Sequence, residues 1–332
     1  MKLKNISDRE PGFTRIRRGR GFQYSRADGQ PCSADEVARC KKLVIPPAWD
    51  HVWICSDPLG QIQVTGIDGA GRKQYRYHQS FREQREAEKF EQLADFGKAL
   101  PRIRLKAQRC LENAEPGERE FAIAAAISLL DLFPIRVGSK QHFRQNKTRG
   151  LTTLARQNVR IDRDEDRIFF KYRAKGGKRV QRSMTSKRLC KLVDEVRRVP
   201  GDALFTYVTD NGEIAELSGT VINEWLHDVS GLSTATAKSF RTWAGTIAAY
   251  HFTEKQVRTE KPITIKGMAE AASERLTNTP AIARSSYIHP RVIELTEDES
   301  GRARVKALLN ATSKAPNRMR AVENRFLSFV QG

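Results

Sequence analysis

Residues 118–130 read Glu118-Arg119-Glu120-Phe121-Ala122-Ile123-Ala124-Ala125-Ala126-Ile127-Ser128-Leu129-Leu130. Beyond its charged start the run is apolar on most sides of a helix with a period of about 3.6 residues, which predicts a helix buried within a core. Pro116, just before it, marks a change in the chain. Upstream, short apolar stretches alternate with turns. Downstream, helical periodicity dominates.

Working back from that point, Gly12–Arg17 and His51–Cys55 read as strands. Asp57-Pro58-Leu59-Gly60 is a turn and Gln61–Gly66 returns as a strand, so a hairpin is expected. Ser33–Lys42 reads as a short amphipathic helix capped by Ser33, and Arg82–Leu100 as a charged helix interrupted by Pro101. Working forward, helices are expected over Lys187–Arg198, Val221–Val229, Ala237–Phe252 (with Thr234 just ahead) and Ile263–Arg275. Thr279-Pro280 supplies a cap and a first-turn proline for Ala281–Tyr287. Arg167–Arg173 and Lys178–Gln181 flank Gly176-Gly177 as a hairpin. The tail after Glu297 is charged and helical near its end. The predicted fold class is α+β. A small β-rich domain occupies 1–90, a linker or hinge 91–115, and a larger, mainly helical domain with a small β-sheet 116–332.

Charge narrows the function. The 332 residues carry 59 Lys and Arg against 39 Asp and Glu, a formal net charge of +20. The excess is spread over the chain: residues 1–100 hold 18 basic and 13 acidic side chains, the remainder 41 and 26. A basic tail is therefore not its source. Such a field attracts polyanions, nucleic acid first, with a ribosomal factor or membrane-surface binder as the alternatives. No apolar run approaches the roughly 18–20 residues of a membrane span, and the N-terminal stretch lacks a signal-like apolar core. Five cysteines without a CxxC pair predict reduced thiols in a cytoplasmic protein. The six histidines show no HxH or HExxH spacing, and Walker and Rossmann fingerprints are missing. Neither a metal nor a nucleotide cofactor is expected.

A nucleic-acid enzyme of this kind needs a route without carboxylate-bound Mg²⁺. One exists: a tyrosine attacks the phosphodiester, arginines neutralise the non-bridging oxygens, and an acid protonates the leaving oxygen. Ile135-Arg136-Val137-Gly138 with Gly150-Leu151-Thr152-Thr153-Leu154, Ala174-Lys175-Gly176-Gly177-Lys178, Thr236–Thr246, and Asn278-Thr279-Pro280 with Ser286-Tyr287-Ile288-His289-Pro290 occur in that order. Together with Ile45-Pro46-Pro47-Ala48-Trp49 and Gly71-Arg72-Lys73-Gln74-Tyr75-Arg76-Tyr77, they resemble the active-site and DNA-contact segments of type IB DNA topoisomerases of the bacterial and poxvirus type.

The resemblance implies a clamp around duplex DNA and a monomeric enzyme of the cytoplasm, acting at the bacterial nucleoid with no cofactor and no membrane. It implies that Tyr287 is the nucleophile, that Arg136, Arg241 and Asn278 stabilise the transition state, and that Lys175 is the general acid. Lys171 and Lys178 are rivals for the acid. Asn278 departs from the poxvirus pattern, where a histidine stands before Thr-Pro; an amide can donate to phosphate but carries no charge. Arg72, Lys73, Gln74, Tyr75 and Tyr77 match the segment that contacts DNA in relatives, and Lys238 is the lysine three residues before the second arginine. Period-two spacing sets Arg72, Gln74 and Arg76 on one strand face and Tyr75 and Tyr77 on the other. Tyrosine recombinases share the catalytic set but usually carry histidine where Lys238 stands. A non-catalytic DNA-binding protein is the remaining alternative.

Overall fold

The computed structural model describes residues 2–311 and 315–331. The chain forms two compact units that part between Lys89 and Phe90. In the first, β1 (Gly12–Arg18), β2 (Gly21–Ser25), β3 (Asp50–Cys55), β4 (Ile62–Ile67) and β5 (Lys73–Tyr77) form one antiparallel sheet in the order β2-β1-β3-β4-β5. Helix α1 (Ala34–Lys42) starts at Ser33, whose hydroxyl accepts from the Glu36 amide while Glu36 reciprocates on the Ser33 amide. Phe13, Tyr24, Cys40, Val52, Ile54 and Val64 make the core of this unit. Arg15 lies buried inside it. Its guanidinium donates to the carbonyls of Ile45 (3.0 Å), Pro46 (2.9 Å) and Trp49 (2.7 Å), which fastens the Ile45–Trp49 segment to β1.

Helix α2 runs over Gln79–Asn113 and contains Pro101. The expected break at Pro101 is not there, and residues 91–113 are helix rather than a linker. A proline inside a helix costs about 3 kcal/mol through its missing donor and ring clash. Phe96, Leu100, Ile103 and Ala107 on the same helix are buried in the second unit's core. At roughly 1.5–3 kcal/mol for each large buried side chain, that packing outweighs the proline.

The second unit is built round α3 (Arg119–Leu132), in which Phe121 to Ile127, Leu129 and Leu130 are all buried. Helix α4 (Lys140–Asn146) precedes an antiparallel sheet of β6 (Val159–Asp162), β7 (Arg167–Arg173) and β8 (Arg179–Thr185). Gly176 and Gly177 close the β7–β8 hairpin with φ of 76° each, a region open to glycine. Then come α5 (Lys187–Val196), a two-stranded ribbon of β9 (Thr206–Val208) and β10 (Ile214–Glu216), and α6 (Gly219–Ser230). Helix α7 (Ala237–Arg258) runs past the expected end at Phe252 and is capped by Thr236. Helices α8 (Ile265–Leu276), α9 (Pro280–Tyr287), α10 (Pro290–Glu294), α11 (Glu299–Asn310) and α12 (Ala321–Gln331) complete the chain. No helix among the described residues is long and apolar enough to cross a membrane.

Helix α12 closes the core behind α7. Phe326 meets Trp243 and Tyr250 edge to face, and the fully buried Glu323 accepts from Trp243 Nε1 (3.0 Å). Arg104 donates to both Glu323 oxygens, at 2.7 and 2.8 Å, and also to Asp131. Burial pushes the Glu323 carboxyl up, but the hydrogen bond and charge of Arg104 hold it below its ordinary value. Removing Glu323 takes two charged contacts from the buried Arg104 and leaves the buried Trp243 Nε1 without an acceptor. Glu323→Ala is therefore expected to cost roughly 3–5 kcal/mol of unfolding free energy. Denaturant titration checks this, and a loss below about 1 kcal/mol, the worth of an exposed ion pair, contradicts it.

Candidate active site

Helices α7, α8 and α9 and the loop after α3 meet around Arg241. Its side chain is 3 % exposed, on the buried side of α7. One terminal nitrogen donates to the Pro134 carbonyl, just ahead of Arg136, and the other to the Leu276 carbonyl at 3.1 Å, just ahead of Asn278. Its guanidinium lies 5.2 Å from the Tyr287 ring centroid. One side chain thus ties together the segments that carry the first arginine, the amide and the tyrosine. Its buried Nε has no hydrogen-bond partner among the described residues.

Tyr287 ends α9 and is 9 % exposed. Burial pushes its phenol up, but Arg241, then Arg136 and Lys238, outweigh burial and hold it below the ordinary tyrosine value. The backbone on both sides is fixed by Thr246 of α7, whose hydroxyl donates to the Tyr287 carbonyl (3.0 Å) and accepts from the His289 amide (3.1 Å). Gly245 allows this approach: a Cβ there would lie 2.9 Å from both Cβ and the carbonyl oxygen of Tyr287. His289 is wedged between the rings of Phe90 and Phe326, and burial pushes its imidazole down to about 4, so it is neutral at pH 7.

The loop carrying Arg136 is held by backbone bonds from Leu151 to the Arg136 carbonyl and from Thr152 to the Val137 carbonyl, each 2.8 Å. Arg136, Arg149, Tyr172, Arg241 and Arg275 line one small cavity. Burial pushes the Tyr172 phenol up to about 12, against the opposing charges of Arg241 and Arg136, so Tyr172 stays protonated. Asn278 is 8 % exposed, and neither amide atom has a hydrogen-bond partner among the described residues. An unpaired buried amide costs about 1–3 kcal/mol, which a ligand oxygen accepting from Nδ2 and a donor to Oδ1 would recover.

Lys175 is exposed at the tip of the β7–β8 hairpin, and its ammonium has no partner among the described residues. Lys178 donates to the Asn278 carbonyl at 3.2 Å. Lys171 lies on the other face of the sheet from Tyr172, in a groove with Arg160 and Gln181. Lys238 is exposed in the first turn of α7.

In the first unit the expected alternation of β5 is present. Tyr75 and Tyr77, 42 % and 40 % exposed, stack with ring centroids 5.9 Å apart and planes 8° apart. Gln74 and Arg76, on the opposite face of the strand, are half-buried. Arg72 and Gln74 both bond the Asp68 carboxylate, which holds the turn before the strand. Lys73 pairs with Asp8.

The sequence reading does not mark Tyr172, Arg182, Arg275 or Thr277. Strand alternation could have placed Tyr172 inward with Ile168 and Phe170. The other three depend on contacts between β8 and the end of α8, which sequence distance hides.

Arginines buried around a tyrosine and an unpaired amide, on this succession of helices and a lysine-tipped hairpin, form a site suited to an anionic group rich in oxygen. Comparison with known families identifies the protein's family. The model of the eukaryotic DNA topoisomerase I catalytic core matches residues 78–310, and that of the bacterial DNA topoisomerase IB N-terminal domain matches residues 21–68. The chain belongs to the type IB DNA topoisomerase family and is an enzyme of that type. DNA topoisomerase 1B of Acanthamoeba polyphaga mimivirus is 29% identical over 299 residues, 86% of this chain and 88% of its own. DNA topoisomerase 1B of vaccinia virus (strain Copenhagen) is 22% identical over 257 residues, 76% of this chain and 77% of its own.

Proposed function

We propose that the enzyme relaxes positive and negative supercoils by cutting one strand of duplex DNA, letting it rotate, and resealing it. Tyr287 attacks the phosphorus, the P–O5′ bond breaks, and a 3′-phosphotyrosyl enzyme and a 5′-hydroxyl result. Arg136, Arg241 and Asn278 face the charge that develops on the non-bridging oxygens, and Lys175 supplies the proton to the departing O5′. The covalent link retains the phosphodiester energy, so resealing needs no ATP. Tyr75 and Tyr77, with Arg72, Lys73, Gln74 and Lys238, bind the duplex. The enzyme acts as a monomer in the cytoplasm, on nucleoid DNA. The observation that carries this reading is the Tyr287–Arg241 contact beside the unpaired Asn278 amide.

Three cationic side chains supply the charge that a metal supplies elsewhere, and a neutral amide adds a donor, so relaxation should proceed in excess EDTA. Plasmid relaxation on agarose gels tests it. Loss of cleavage in EDTA with recovery on adding Mg²⁺ would refute the mechanism.

A further inference from the structure

We propose that Arg182 is a positioning residue that aims the Asn278 amide at the substrate phosphate by locking the turn at Thr277 to the lysine-bearing hairpin. This rests on the role given to Asn278 above.

The side chain of Asn278 has no partner to fix it, so its direction is set by its backbone. That backbone follows Thr277, which caps α8 with φ 53° and ψ 51°. The left-handed region is strained for a β-branched residue, and such strain persists only where the surroundings enforce it. The surroundings here are specific. Arg182, on β8, donates through one terminal nitrogen to the Arg275 carbonyl (2.9 Å) and to the Thr277 hydroxyl (3.3 Å). Its guanidinium lies 5.7 Å from the Phe133 ring centroid, which limits its freedom. The backbone N–H of Asn278 donates to the Ser273 carbonyl at 3.3 Å.

The end of α8 therefore collects three cations on its last carbonyls and the turn beyond: Arg182 on Arg275, Arg241 on Leu276 and Lys178 on Asn278. A helix C-terminus presents unpaired carbonyls and partial negative charge, so cations are favoured there. The consequence is more than stability. Arg241 belongs to the proposed catalytic set, Arg182 lies on the strand that leads from the tip carrying Lys175, and Lys178 lies between that tip and the strand. The helix end sets the amide, an arginine and the acid-bearing hairpin in one register. Arg182 is the member of the three that grips the strained residue itself.

Arg182→Met keeps a stem of similar length against Phe133 and removes the donors. Single-turnover cleavage of a DNA duplex at saturating enzyme should slow roughly 10–100-fold, the loss expected when a reacting group is displaced by about 1 Å. Non-covalent DNA affinity should be essentially unchanged. Asn278→Ala alone should slow cleavage by about 10²-fold, the usual loss of one oxyanion donor. If Arg182 acts through Asn278, the double variant cleaves no more slowly than Asn278→Ala. Loss of packing alone would make the two effects multiply. Arg182→Lys keeps stem and charge but reaches the two acceptors less well. It should show a smaller slowing with the same lack of additivity, and it carries the test if the Met variant does not fold. Wild-type cleavage by Asn278→Ala would refute the role of Asn278. Slow cleavage by Asn278→Ala with multiplying effects, or with wild-type cleavage by Arg182→Met, would overturn the role of Arg182 alone.

Discussion

Tyr287→Phe should bind duplex DNA as the parent enzyme does, form no covalent adduct and relax no plasmid. The substitution removes one oxygen and leaves the ring under Arg241, so the packing of α9 on α7 is kept. Binding rests on phosphate contacts made elsewhere. Reactivity rests on the phenol alone. Arg241, Arg136 and Lys238 hold its proton below the ordinary tyrosine value despite burial, which favours the attacking phenolate. Tyr172 lines the neighbouring cavity, but burial holds its phenol at about 12, so it does not substitute. The measurement is an SDS-stable DNA adduct on a gel, with filter binding as the control. An adduct formed by the Phe variant would move the nucleophile to another tyrosine.

The large features were legible because local patterns decide them. The apolar run in α3, the Ser33 capping box, the paired glycines at the hairpin tip and Thr279-Pro280 each dictate structure within a few residues. Pro101 misled because the helix around it is stabilised by burial in a distant core, which overrides a local penalty. The site divides in the same way. Arg136, Arg241, Asn278 and Tyr287 lie in segments that are recognisable as an ordered set, and the structure brings them round one guanidinium. What orients them was hidden. Thr246 fixes the backbone of Tyr287 from 41 residues away, and Arg182 reaches Thr277 across 95. Neither partner can be read from periodicity, because each is set by how β8 and α7 pack against α8 and α9.

Lys175→Ala is the second large effect, and the geometry sharpens it. A 5′-alkoxide is a poor leaving group, so cleavage should slow by roughly 10²–10⁴-fold when its acid is removed. Of the three lysines near the hairpin, Lys178 is engaged by the Asn278 carbonyl, and Lys171 lies on the sheet face away from Tyr172 and Arg241. Lys175 alone of the three stands at the tip, with its ammonium exposed to an incoming strand. Changing the leaving group separates proton donation from charge stabilisation. A substrate with sulfur in place of the bridging 5′-oxygen departs with little protonation, so Lys175→Ala should cleave it nearly as fast as the parent does. Arg136→Ala and Arg241→Ala should stay slow on the same substrate, because the charge on the non-bridging oxygens still develops. If sulfur fails to restore cleavage to Lys175→Ala, the proton comes from elsewhere. Lys178 is then the first candidate, since breaking its single bond to the Asn278 carbonyl would free it to turn toward the leaving oxygen.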